Sequence, residues 1–202
     1  MATVFTAMSV SVDGYVAGPD DRRGQPLGAG GDALFRWYSD GALPAKHYPH
    51  FRMSAESKHY FDAICERTGA VVVGRHTYDL ANGWNGDGPL PGQPTVILTH
   101  EAPEVIPHGT SNYLFISEGI EVAINKALAA AGGKDVSLIG SAPVQQALRS
   151  ELIDEIHLSV VPVLLGGGVR LLDRFGGLAT RLDCFSVVDA PGVTHLSYRV
   201  RY

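Results

Sequence analysis

The sequence predicts an α/β fold closed on one mixed, mostly parallel sheet with an antiparallel finish, and three observations carry that expectation. Short β-branched runs bounded by glycine alternate with helix-spaced segments through the middle of the chain. The last third changes to period-two alternation, as antiparallel strands do. The 202 residues, 45% apolar and 18% charged, can bury one large core without a second unit. No repeat, low-complexity tract or linker divides them, so residues 1–202 are read as a single domain.

The apolar N-terminus carries no Lys or Arg ahead of it, and Val4, Ala7, Met8, Val10 and Val12 interleave with Thr and Ser. A first strand, not a secretion signal, is expected. Asp13-Gly14 then turns the chain out of it. Residues 18–31 and 82–94 concentrate Gly and Pro and read as long loops, a length that usually signals function. A helix is predicted over roughly 54–67, with Phe61, Ile64 and Cys65 in its buried stripe. TGAVVVG at 68–74, TVILT at 95–99 and DVSLIG at 135–140 read as buried strands. Between the last two, 118–131 places Ile120, Ile124, Ala127, Leu128 and Ala131 at helical spacing until Gly132-Gly133 stops it. A further helix over 142–150 turns Val144, Ala147 and Leu148 inward. Residues 155–165, 181–190 and 193–202 alternate as antiparallel strands.

Composition removes several function classes. Sixteen Lys+Arg against 21 Asp+Glu leave a net charge of −5, without the basic clusters that phosphate backbones require, so no nucleic-acid partner is expected. No apolar run approaches the roughly 18 residues of a membrane span, so no membrane partner is expected either. Two distant cysteines, Cys65 and Cys184, point to a reducing cytoplasm. Zincin, CxxC, nucleophile-elbow, P-loop and GxGxxG signatures are missing. His47 and His50 have a metal-compatible spacing but sit beside Pro49 with no carboxylate or thiolate nearby, so no metal is expected. His157 and His195 read as packed strand residues.

The positive signal lies at strand-to-helix junctions. After VVVG the chain reads Gly74-Arg75-His76-Thr77, where a helix start would offer free N–H groups and two cations to a phosphate. A Thr-capped helix with an incidental surface Arg explains the same residues. Gly140-Ser141-Ala142 before Pro143 repeats the geometry, and two such junctions on neighbouring strands suit a pyrophosphate.

The segments SVSVDGYVAG, GRHTYD, LIGSAPVQQAL and LIDEIHLSVVPVLLGGGVRLL together resemble, in order and spacing, the dihydrofolate-reductase-like family. The branch is that of the reductase domain of the bacterial riboflavin-biosynthesis deaminase/reductase. The resemblance implies a three-layer α/β/α domain, a homodimer, and NADPH lying across the strand ends. By position, Gly74, Arg75, His76 and Thr77 would hold phosphates, Leu98 and Thr99 the adenosine side, and Gly140, Ser141, Ala142 and Val144 the pyrophosphate and neighbouring ribose. Departures from the family pattern concern the substrate. Where its riboflavin-pathway enzymes place an acidic residue two positions before the glycine, this chain has Leu138, and after Thr77 it continues Asp79-Leu80-Ala81-Asn82. His100-Glu101 follows Thr99, where NADPH-preferring members carry a basic residue.

The expected activity is hydride transfer from NADPH to a small heterocycle or carbonyl compound. Asp32, before Leu34, Phe35 and Trp37, is the candidate proton relay if those neighbours desolvate it, though it also reads as a helix N-cap. Asp13 is the lesser candidate. Tyr15, Trp37 and Trp84 are candidates to stack on the substrate, with Leu138 beside it. The riboflavin-pathway pyrimidine reductase and a non-catalytic nucleotide or heterocycle binder remain as alternatives. The apolar segment VVPVLLGGGVRLL is expected to supply the dimer contact.

Overall fold

The computed structural model describes residues 2–173 and 179–202. In chain order the strands and helices are β1 (Val4–Ser11), β2 (Tyr15–Ala17), β3 (Leu43–Pro44), β4 (Arg52–Met53), α1 (Ala55–Arg67), β5 (Thr68–Gly74), α2 (Arg75–Leu80), β6 (Thr95–Leu98) and β7 (Tyr113–Ile116). They continue as α3 (Ile120–Ala130), β8 (Asp135–Ile139), α4 (Ser141–Arg149), β9 (Glu155–Val161), β10 (Val169–Arg170), β11 (Arg181–Ala190) and β12 (Val193–Arg201). Two 3-10 segments, Gly31–Tyr38 and Asn82–Gly86, lie in the connections.

Eight strands form the main sheet in the order β11-β12-β9-β1-β8-β5-β6-β7. Pairings from β9 through β7 are parallel, while β9–β12 and β12–β11 are antiparallel. This is the three-layer α/β/α architecture with antiparallel C-terminal strands that the sequence predicts. Two details differ. β9 is parallel to β1 on one side, and it ends at Val161 because Pro162 has no N–H to give the ladder. β7 was not expected: four residues at the sheet edge are too short for a clear pattern.

Side-chain alternation divides the core into two layers. Val72, Val96, Val136 and Leu138 face α3 and α4, meeting Ile124 and Ala147. Val71, Val73 and Ile97 face the opposite side, with Cys65 of α1. Ser54 caps α1 by accepting from the Ser57 N–H at 3.2 Å, and Arg67 at its other end pairs with Asp135 at 2.6 Å and Glu155 at 2.9 Å. Those carboxylates begin β8 and β9, so the ion pairs secure the strand N-termini and leave the C-terminal ends to loops. Beneath α1, His195 is 1% exposed, with Ser57 Oγ 3.1 Å from its Nε2 and Ser159 Oγ 2.9 Å from its Nδ1. Burial pulls its pKa down to about 4, which keeps the ring neutral.

Asp13 forms the turn after β1. Its carboxylate accepts from Ser11 Oγ at 2.6 Å and from the N–H groups of Leu165 and Gly166 at 3.1 and 2.7 Å. The Ser11 hydrogen bond, helped by those two N–H groups, holds its pKa at about 2 against partial desolvation. The segment 160–172 does not present the expected apolar patch: Val161 and Leu171 are buried, and Leu164 is its one large apolar side chain in the open. Three exposed apolar side chains, Leu182, Phe185 and Val187, lie together on the edge strand β11, and others are scattered at Val12, Leu43, Val105, Ile106 and Leu114. Among the described residues no helix is long and apolar enough to cross a membrane, and no group of three or more His, Cys, Asp or Glu could hold a metal.

Candidate active site

One cavity of about 1330 Å³ runs over the α1 face of the sheet and opens at the C-terminal ends of β1, β5, β6 and β8. Ligand sites ordinarily span about 300–1000 Å³, so this volume has room for two ligands side by side. At one end, β5 and β8 are paired in parallel, and the chain leaves both directly into helices. Gly74, Arg75, His76 and Thr77 line the cavity from the first junction, and Gly140, Ser141 and Ala142 from the second. Leu98 and Thr99 close this end from β6. Gly140 is positioned by necessity. Its φ is +92°, and a Cβ there would lie 2.8 Å from Thr77 Oγ1.

The basic side chains at this junction already have partners. Arg75 Nε donates to both carboxylate oxygens of Asp79 at 2.9 Å, and its Nη1 donates to the Glu101 carbonyl at 2.5 Å. His76 Nε2 lies 2.7 Å from Asp21, which brings the 18–31 loop across the cavity mouth. The other long loop contributes Trp84 from a left-handed run in which Asn82, Trp84 and Asn85 have φ between +48° and +53°. That conformation costs an L-residue about 1–2 kcal/mol, a strain typical of segments that hold a side chain at a site.

The opposite end is aromatic. Phe35 and Tyr38 from the first 3-10 segment, Tyr48 and Phe51 from the β3–β4 connection, and Phe61 from α1 all line it. Burial pushes the Tyr38 and Tyr48 phenols up, so both stay protonated; the buried Cys65 thiol is raised to about 12, with the Asp62 and Glu66 charges adding to the effect. Tyr48 Oη donates to the Pro89 carbonyl.

Five residues expected at the site lie elsewhere. Leu138 is fully buried against α3 and α4, because alternation along β8 turns Ser137 and Ile139, not Leu138, toward the cavity. Val144 is likewise in the α3–α4 core; Pro143 and Gln146 line the cavity beside it. Trp37 is packed inside, its Nε1 donating to Ser9 Oγ at 3.0 Å, and the three-residue repeat of its 3-10 segment presents Phe35 and Tyr38 instead. Tyr15 lies outside the cavity under the Arg170 guanidinium, 4.5 Å from the ring centroid. Asp32 is exposed and away from the cavity, and the helix cap is Gly30, so the desolvation expected of Asp32 does not occur. The aromatic residues were missed because they come from three separate stretches. A three-residue spacing in Phe35/Tyr38 and Tyr48/Phe51 was the available signal.

A mostly parallel α/β sheet with a large cleft over its strand ends defines an α/β domain with a ligand-sized site at the carboxyl ends of its strands. The chain belongs to the RibD C-terminal domain family, whose pattern it matches over residues 2–196. Among solved structures it is similar to a putative riboflavin biosynthesis protein from Shewanella sp. PV-4, with a TM-score of 0.68, 25% identity and both chains fully covered. It shares its fold with the Thermotoga maritima diaminohydroxyphosphoribosylaminopyrimidine deaminase/5-amino-6-(5-phosphoribosylamino)uracil reductase, with a TM-score of 0.63 and 11% identity. That match covers 98% of this chain and 56% of the other. A pyrimidine reductase-like protein from Corynebacterium diphtheriae matches with a TM-score of 0.59 and 15% identity, over 100% of this chain and 92% of the other. No curated protein matches the sequence.

Proposed function

We propose that the protein is an NADPH-dependent reductase acting on a small heterocyclic or carbonyl substrate. The observation that carries this reading is the pair of junctions on adjacent parallel strands, opening into one cavity where Gly140 leaves space that any Cβ would fill against Thr77. Backbone can approach a pyrophosphate there, so the residues fit the cofactor. When bound, NADPH supplies the hydride; the protein's part is orientation, exclusion of water and hydrogen bonding. Thr77 and the N–H groups opening α4 would hold the phosphates, and Leu98 and Thr99 the adenosine. Arg75 has Nε and Nη1 engaged by Asp79, Thr99 and Glu101, which leaves its Nη2 group for a 2′-phosphate. At the aromatic end Tyr38 lines the cavity with its phenol kept neutral by burial.

A titration of NADPH against the protein's tryptophan fluorescence, with Trp84 in the cavity wall, tests cofactor binding. Saturation in the micromolar range is expected, and no binding at millimolar NADPH would remove the proposal. Loss of NADPH absorbance on adding dihydropterins, pyrimidines or carbonyl compounds separates a reductase from a binder that keeps the pocket without turnover. The family resemblance also leads us to propose a homodimer, with β11 as its contact surface in place of segment 160–172. A monomer mass by light scattering would contradict it.

A further inference from the structure

Resting on the reductase reading, we infer that the substrate half of the cavity takes a flat, uncharged ring without a phosphate group. Four rings lie nearly parallel in a row: Phe35 to Tyr38 at 5.6 Å and 19°, Tyr38 to Phe51 at 4.6 Å and 22°, and Phe51 to Tyr48 at 5.1 Å and 19°. Phe61 closes the row edge-on, 5.4 Å from Tyr38 and 5.8 Å from Tyr48. All five line the cavity. The inner rings Tyr38 and Phe51 have their faces covered by their neighbours, so the row presents ring edges and its end rings, Phe35 and Tyr48, to a planar heterocycle, whatever the pattern of its ring atoms.

A phosphate needs something this end lacks. A phosphomonoester brings nearly two negative charges and three strong acceptor oxygens, and proteins meet it with Arg, Lys or a helix N-terminus. Among the described residues, Arg75 is the one Arg or Lys that lines the cavity. It sits at the junction end, ion-paired with Asp79, together with the starts of α2 and α4. Among the described residues His50, its ring 4.5 Å from that of Phe51, is the one basic group that lines the cavity beside the aromatic row, and it is exposed. Selection by stacking without a phosphate anchor separates this site from one built for a phosphoribosyl substrate such as that named for the Thermotoga maritima enzyme.

Riboflavin and its 5′-phosphate form a matched probe pair that differs by one phosphate, and both can be titrated by flavin fluorescence polarisation with the junction end saturated by NADP⁺. The uncharged flavin is expected to bind at least tenfold more tightly than its phosphate. Phe51→Ala should weaken it by fivefold or more, and Phe51→Arg should narrow or reverse the preference. Equal affinity, a preference for the phosphate, or no binding of either probe would overturn the inference. Melting curves on both variants separate lost stacking from lost fold. NADPH binding is read in a separate titration. If NADPH fails to bind while the flavin preference holds, the reductase reading fails and the aromatic site stands.

Discussion

At its junction end the cavity is walled by backbone, by Gly140 without a side chain, and by basic side chains already held by carboxylates; at its far end it is walled by five rings drawn from three separate segments. The first end is local in sequence. Each junction is a strand, a glycine and a helix start, and its chemistry follows from how helices begin. The second end exists only after folding, when the 3-10 segment, the β3–β4 connection and α1 converge. A cofactor site can therefore be carried by a pattern of consecutive residues, whereas substrate choice rests on long-range convergence that short motifs do not record.

The largest expected effect sharpens the distinction between the two faces of β8. Leu138→Ala removes a fully buried side chain from the α3–α4 layer and should cost about 2–5 kcal/mol of stability while leaving cofactor and ring affinities unchanged. Denaturant melts paired with both titrations check this, and a changed ligand affinity at constant stability would put Leu138 back at the site. Next comes Arg75→Ala, which should weaken NADPH by about 1.5–3 kcal/mol, roughly ten- to a hundredfold, and NADH far less. Equal losses for both cofactors would show that Arg75 does not read the 2′-phosphate.

His195 lies outside both ends and provides a control. Its folded pKa of about 4 is below the ordinary 6.5, so the unfolded chain binds the extra proton first. The stability it contributes is complete above pH 6.5 and falls as the pH drops from 6.5 to 4. Chemical denaturation across that window should show the decline, and His195→Gln should flatten it without touching ligand binding. The smallest effect is a gain: Asp79→Asn removes the carboxylate that offsets Arg75, and NADPH affinity should rise by up to about fivefold, since a half-exposed pair contributes about 1 kcal/mol or less. A fall would mean that Asp79 orients Arg75 more than it neutralises it.

Most of the architecture was readable because β5, β6 and β8 are short apolar runs punctuated by glycine, while α3 and α4 keep strict helical spacing. β7 escaped because an edge strand with one exposed face needs no strong pattern. At the site, Gly74, Thr77, Thr99 and Gly140 were legible as cavity neighbours since backbone geometry places them. Leu138, Trp37 and Val144 were misplaced for one common reason. A one-residue choice of phase decides which face a side chain takes, and the phase depends on which layer packs where. Asp32 was misread because burial was inferred from its neighbours along the chain, when Leu34 and Trp37 turn inward and leave it outside.

The claim that one cavity holds two separable ends is tested most directly by titrating NADPH and riboflavin against wild type, Gly140→Val and Phe51→Ala, with melting midpoints recorded for each. Gly140→Val forces a branched side chain onto a φ of +92° and into Thr77, so NADPH binding should be lost while riboflavin binding persists. Phe51→Ala should do the reverse. If the variants, still folded, weaken both ligands alike, the two ends are not separate sites and the assignment of cofactor and substrate halves is wrong.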